Sequence, residues 1–316
     1  MLIATHDGTF HADETTACAI LSYLYPNCSI IRSRDPEELE KADLIIDVSN
    51  INDERHFDHH SKEFTDCREN GIKYATAGII WEKYGLELPF SPSAKIIENS
   101  HKTIDVEVMQ PVDLNDNGQL TAYVQELAQP QNEREQELVN TVSEFFQTTP
   151  DLPYLVAMSN LTSRSEEEQF KAFLNTVRML RTLLVNIAVN TIFNESGIAR
   201  VIELYQGEEI LIMHERLPWT QAVLNHPEAF ENCKLAVYPD RNKRWRVQSL
   251  PKSKAERFVN RLSAPLAWRG LNDEELDRAT GISNTTFVHK SGFTGGAKDY
   301  DSNLKLAKLW LKLGVR

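Results

Sequence analysis

The 316-residue chain is 41% hydrophobic and carries 34 Lys+Arg against 46 Asp+Glu, a formal charge of −12; at about 150 residues per domain, that length predicts two domains. It has no apolar run of about 18 residues, and its opening "LIAT" is not a basic stretch leading into an apolar one, so neither a membrane span nor a secretory signal is expected. Cys18, Cys28, Cys67 and Cys233 form no C-x-x-C pair, which argues against a thiolate zinc site or a disulfide framework and points to a reducing, cytoplasmic setting.

In chain order, "LIAT", "SIIRSR" and "ADLIIDVS" are short apolar runs bounded by polar residues. Between the first two lies "DETTACAILSYLY", whose apolar residues recur at helical spacing. "DPEELEKA" opens like a helix, with Asp35 as N-cap and Pro36 at the first helical position. Strands alternating with helices predict a parallel sheet, whose ligands bind beyond the carboxyl ends of its strands. The polar residues of this half fall at those ends. "HDGTFHADE" follows the first run with His6, His11 and Asp13, Asp47 ends the third, "FDHHSKEF" supplies Asp58, His59 and His60, and "VDLNDNG" supplies Asp113 and Asp116.

Residues 1–150 hold 11 Lys+Arg against 27 Asp+Glu (−16), whereas 151–316 hold 23 against 19 (+4). Carboxylates and imidazoles without thiolates suit Mn²⁺ or Mg²⁺ better than structural zinc. So many carboxylates converging on one rim repel each other unless cations neutralise them, and two metals about 3.5–4 Å apart are the usual device for setting water against a phosphate ester. Two ions are therefore expected.

Past residue 120, "QNEREQELVNTVSEFFQ" and "EEEQFKAFLNTVRMLRTLLVNIAVNTIF" read as helices, the second ending at Gly197. "ARVIELY", "EEILIMH", "KLAVYP" and "RWRVQSL" alternate like strands, "NDEELDRATG" reads as a short helix, and "NLKLAKLWLKLG" as a closing one. The expected organisation is an α/β domain with a parallel sheet over 1–160, a helical connector over 161–197, and an α+β domain with a mostly antiparallel sheet over 198–316. In "FVHKSGFTGGAK", Gly292, Gly295 and Gly296 lie among His289, Lys290 and Lys298 just ahead of that closing helix, so free backbone N–H groups there would hold a phosphate. From Pro239 to Arg261 the chain carries eight Lys+Arg, Arg241 and Arg244 among them, against two acids. Beside Trp245, such cations can track a nucleic acid backbone.

"HDGTFHADE", "DLIIDVSN", "FDHHSKEF" and "VDLNDNG", in that order, resemble the DHH phosphoesterase superfamily. More narrowly, "THDGTFHADE", "DNG", "PW" at Pro218–Trp219, "WRVQ", "WRGL" and "FVHKSGFTGG" are similar to the melanocyte-proliferating-gene (MYG) family of 3'-5' RNA exonucleases. The resemblance implies metal ligands at His6, His11, Asp13, Asp47, His59 and either Asp113 or Asp116, with His11 standing where the superfamily has an Asp. It also implies that His60 faces the phosphate while Asp58 orients its neighbour. The expected activity is metal-dependent hydrolysis of single-stranded RNA or a short oligonucleotide. The alternatives are a small-substrate phosphohydrolase acting on pyrophosphate, a cyclic dinucleotide or phosphoadenosine phosphate, and a non-catalytic metal or nucleic acid binding protein.

Overall fold

The structure is a computed structural model that describes residues 1–88, 94–160 and 165–315. Its contacts divide into two compact units, residues 1–192 and 193–316. The domain boundary expected at 160/161 adjoins residues outside those described.

In the first unit β1 (Leu2–Thr5), β2 (Ser29–Arg32), β3 (Leu44–Ile46) and β4 (His56–Phe57) form a four-stranded sheet in the order β2-β1-β3-β4. Every neighbouring pair is parallel, with Ile3 opposite both Ile30 and Leu44, and Ile46 opposite Phe57. The strands therefore end at one edge, and the segments leaving them, His6–Phe10, Ser33–Asp35, Asp47–Asn50 and Asp58–His60, share it. Helix α1 (Ala12–Leu24) joins the first two strands, and its residues from Ala12 to Leu21 are all buried. A helix buried on every side is a core helix. The short α2 (Pro36–Leu39) starts as expected, Asp35 accepting from the Glu37 N–H.

Helix α3 (Thr76–Tyr84) packs on α1, and Ile20, Leu21, Ile80 and Trp81 belong to one core. Then α4 (Ala94–Ile104), a π-helical turn (Asp105–Met109) and α5 (Gln110–Asp116) run in series. They are followed by α6 (Leu120–Ala128), α7 (Glu133–Thr148) and α8 (Leu152–Ser159). The connector is α9, 39 residues from Glu166 to Leu204. By length and composition alone α9 could cross a membrane, its most apolar window having a mean hydropathy of 1.3; Phe173, Val177, Leu180, Leu184 and Ala188 instead line the first core. It does not stop at Gly197, as the sequence predicted, but absorbs "ARVIEL" as helix. Gly197 lies inside α9 because a Cβ there would collide with the Pro218 ring; it serves close packing rather than termination.

The second unit is built on β5 (Ile210–Ile212), β6 (Leu235–Pro239), β7 (Trp245–Ser249), β8 (Thr285–Val288) and β9 (Thr294–Ala297). Their order is β5-β6-β7-β9-β8, antiparallel except for β5 beside β6. Helices α10 (Trp219–Asn225), α11 (Asp273–Thr280) and α12 (Tyr300–Leu313) complete it, and Trp310 of α12 packs with Val237, Val247 and Val288. The molecule is thus α/β, with a parallel sheet, a long helical connector and a mostly antiparallel second sheet.

Candidate metal centre

His6 leaves β1 and is 4% exposed. Its Nδ1 lies 2.9 Å from the Asp7 carbonyl, which can only accept, so that nitrogen carries the proton. Nε2 then faces Glu14 Oε1 at 3.1 Å and Asp47 Oδ2 at 3.6 Å. Burial alone would lower the pKa of the imidazole, but Glu14 and Asp47 hold it above its ordinary value. Arg32, at the end of β2, fixes this segment by donating to the His6 and Gly8 carbonyls, with its guanidinium over Phe10 and Phe173. His11 caps α1, its backbone N–H donating to the Glu14 carboxylate.

Asp47 follows β3 in a left-handed conformation, φ 56°, a backbone state costing an L-residue about 1–3 kcal/mol. That geometry sets its carboxylate between two groups of ligands. Oδ2 faces His6, while Oδ1 lies 3.7 Å from His59 Nδ1 and 3.5 Å from His60 Nδ1. Asp58 is buried at the wall of the cleft, where it accepts from the Asn50 and His60 backbone N–H groups and contacts the His60 ring at 3.0 Å. Asp47 foremost, with Asp58, pushes the His60 pKa up to about 9 against the effect of burial.

Helix α3 begins at Ala75, which has no side-chain cap to offer. Carboxylates from elsewhere take that place, as the dipole and free N–H groups of a helix N-terminus favour. Asp13 accepts from Thr76 and Ala77, and Asp113 accepts from Gly78. Asp113 also binds Arg68 at 2.7 Å, and Arg68 grips Asp105 on the π-helical turn. One helical turn along from Asp113, Asp116 Oδ2 meets His59 Nε2 at 3.2 Å, and His59 Nδ1 lies 3.5 Å from Asp13. The two acids that the sequence left open are placed differently: Asp116 lies with Asp13 and His59, whereas Asp113 is taken up by Arg68 and the Gly78 N–H. Burial, then Asp47, Asp116 and Asp113, push the Asp13 pKa well above its ordinary value; burial also raises Asp113, to about 7, despite Arg68.

Among the described residues, the ion-pair partners of Asp13, Glu14, Asp47, Asp58 and Asp116 are all histidines. Five acids, most of them buried and none in a salt bridge with Lys or Arg among the described residues, fit divalent metal ions, which would neutralise them. Three donor groups, the last two sharing His59, each bring ligand atoms within 4.8 Å of one another: His6, His11 and Glu14; Asp13, His59 and Asp116; and Asp47, Asp58, His59 and His60. Beside them opens a cleft of about 760 Å³ lined by His6, His11, Asp47, His60, Asp116 and Arg34, among others.

The substrate-binding residues expected in the second half do not form one group. Trp245 lies opposite Ala297 and Gln248 opposite Thr294, so the Asp240–Arg244 turn and Lys298 sit at one end of this sheet and the His289–Phe293 turn at the other. Arg241 and Arg244 are exposed on the first turn. Gly295 and Gly296 are not in a loop; they lie inside β9, where a Cβ would crowd the Phe287 and Trp245 carbonyls of the adjoining strands. Gly292 holds the β8–β9 turn at φ 71°, with His289 bonded to Ser291 and Lys290 exposed. The α12 N-terminus is capped by Asp299, an anion that opposes a phosphate there. Trp245 is packed against Tyr300 and His214. The sequence reading left out Glu14, although it stands in "HADE" at the spacing of a capping-box glutamate. Arg68 and Arg34 carried no local pattern that could have marked them.

Residues 2–311 match the family described as "Uncharacterised protein family (UPF0160)", MYG1_exonuc. The chain belongs to this MYG1 family. It is 32% identical to the MYG1 protein C694.04c of Schizosaccharomyces pombe over 97% of this chain and 96% of that protein. It is 31% identical to the MYG1 exonuclease of Rattus norvegicus, over 98% of this chain and 84% of that protein. Among solved structures it aligns with RecJ in complex with Mn²⁺ from Thermus thermophilus at 12% identity, covering 100% of this chain and 53% of that one with a TM-score of 0.25; a likeness that low carries no weight here. Membership of the MYG1 family rests on sequence over nearly the whole chain.

Proposed function

We propose that this MYG1-family protein is a metal-dependent phosphodiester hydrolase that shortens single-stranded RNA, or a short oligonucleotide, in the 3'-5' direction. The observation that carries this reading is the convergence of His6, Asp13, Asp47, His59 and Asp116 at the carboxyl edge of the parallel sheet, where among the described residues these acids form ion pairs with histidines alone and Asp47 and Asp116 line a cleft. The name "exonuclease" borne by the Rattus norvegicus relative supports it. Mn²⁺ or Mg²⁺, two ions, bound by these residues would polarise the scissile phosphate and lower the pKa of water. His60, its side chain 60% exposed and its ring held by Asp47 and buried Asp58, offers a phosphate oxygen a charge-assisted contact or the leaving oxygen a proton. Arg34 brings a guanidinium to the same cleft, the group best shaped for a phosphate. On the second unit, the exposed basic turn Arg241–Arg244 offers phosphate contacts of its own.

The test is hydrolysis of 5'-labelled RNA of several lengths in Mn²⁺ or Mg²⁺, with pyrophosphate and a cyclic dinucleotide alongside. Stepwise shortening by the wild type that is lost in Asp47→Asn is the expected result. No RNA hydrolysis by the wild type, or equal rates in the two proteins, overturns the proposal.

A further inference from the structure

His6, His11 and Glu14 bring together two imidazoles and one carboxylate whose ligand atoms all lie within 4.8 Å of one another. The neighbouring group is of another kind, since Asp13 and Asp116 supply oxygen and only His59 supplies nitrogen. Asp47 lies between them, Oδ2 toward His6 and Oδ1 toward His59.

The first group turns two carboxylates on one imidazole nitrogen: His6 Nε2 faces Glu14 Oε1 at 3.1 Å and Asp47 Oδ2 at 3.6 Å, and among the described residues no Lys or Arg forms a salt bridge with either acid. Glu14 itself is 0% exposed, and its ion-pair partners among the described residues are His6 and His11 alone. Two buried carboxylates turned on one nitrogen call for positive charge among them, which a divalent ion held there supplies. The His11 ring completes the set from the cleft side, exposed, with Nδ1 4.0 Å from Glu14 Oε2.

Resting on the metal-dependent reading above, we propose that His6, His11 and Glu14 form a nitrogen-rich position for a borderline first-row transition ion of the Fe²⁺, Co²⁺ or Zn²⁺ class. The oxygen-rich position of Asp13, His59 and Asp116 takes Mg²⁺ or Mn²⁺. Imidazole discriminates strongly in favour of the former class, whereas carboxylates hold hard ions as well. Glu14 is a ligand of the first position, and His11, standing where a carboxylate would give two similar sites, makes them unlike.

The experiment titrates Co²⁺ into full-length protein stripped by chelation and then saturated with Mg²⁺, following heat, bound metal by mass spectrometry and the visible Co²⁺ spectrum. One Co²⁺ per chain is expected to bind on top of the Mg²⁺, with an absorption band characteristic of imidazole ligation. Removal of an outer-sphere partner already weakens metal binding about 10–100-fold, so Glu14→Gln and His11→Ala are each expected to weaken this one Co²⁺ by at least about that much, leaving Mg²⁺ binding in place. His11→Asp, which keeps a good helix cap, is expected to admit Mg²⁺ and cut the preference for Co²⁺ at least about tenfold. If Glu14→Gln does not fold, the two His11 variants decide, since they retain the backbone N–H that Glu14 accepts. Co²⁺ that merely displaces Mg²⁺, or unchanged Co²⁺ binding in the His11 variants, overturns the proposal while leaving metal-dependent hydrolysis standing. A wild type that binds neither ion overturns the metal-dependent reading itself.

Discussion

Asp113 and Asp116 stand three residues apart on one helix and face different problems. Asp113 is completely buried against the Arg68 guanidinium, and removing it leaves Arg68 with Asp105 alone and the Gly78 N–H without its acceptor. Leaving a buried donor unsatisfied costs about 1–3 kcal/mol, so Asp113→Ala is expected to lower the denaturant midpoint. Among the described residues the ion-pair partner of Asp116 is His59; Asp116→Ala should melt near wild type in the metal-free state yet lose one bound ion. Similar melts for both variants would count against this separation. His60 gives a pH signature. Its pKa is raised from 6.5 to about 9, chiefly by Asp47. A raised folded-state pKa stabilises the metal-free fold in full below pH 6.5, and that contribution is lost as pH climbs through 9. The ring is largely exposed, so solvent screens the effect and the gain is small. Denaturation of metal-free protein should show wild type losing more stability than His60→Gln across that window. Binding a cation at Asp47 withdraws its pull, so the His60 ring, followed by NMR, should titrate lower once Mg²⁺ is added.

At the scale of elements, α3 shows why the site and the fold are hard to separate. Its N-terminus is closed by Asp13 from α1 and Asp113 from α5, and Gly78 is needed because a Cβ there would strike the Asp113 carboxylate. Gly78→Ala is favourable for an isolated helix, yet here it should destabilise by about 1–3 kcal/mol through overpacking and weaken metal binding by shifting α5. An unchanged melting curve and metal content would show that α5 yields freely. Much of this half was legible in the sequence, because short apolar runs punctuated by His6, Asp47 and Asp58 define strand ends, and in a parallel sheet strand ends meet. What was not legible depends on distant approach. Gly197 resembles a helix stop but makes room for Pro218, and Gly295 and Gly296 resemble a phosphate loop but let strands come close. Arg68 pairs with acids 37 and 45 residues away, a relation no local pattern reports. Glu14 was hidden by its second role, since a glutamate three residues after a helix cap is already accounted for by that cap.

Across the whole molecule, charge is distributed in opposition: residues 1–150 carry −16 and 151–316 carry +4. A polyanion is therefore repelled by the acidic first half until cations occupy it, and under the proposed function affinity for RNA should rise on adding Mg²⁺ or Mn²⁺. The attractive contribution comes from side chains free to meet phosphate. Arg246 is not one of them, being held by Asp240 at 3.2 Å and lying over the Phe287 ring, whereas Arg241, Lys243 and Arg244 are exposed on the β6–β7 turn. Each phosphate contact on a single strand contributes about 0.7 to the slope of log affinity against log salt, so replacing all three by Gln should weaken RNA binding and flatten that slope by about 2. Cleavage of a small chromogenic phosphodiester should be nearly unchanged, because it carries no second phosphate for the turn to hold. Asp47→Asn should do the reverse, losing small-substrate turnover while metal-free RNA binding through the turn persists. If the triple replacement instead abolishes small-substrate turnover and leaves the salt slope intact, the turn belongs to the chemistry or to the fold, and the affinity for polyanion arises elsewhere.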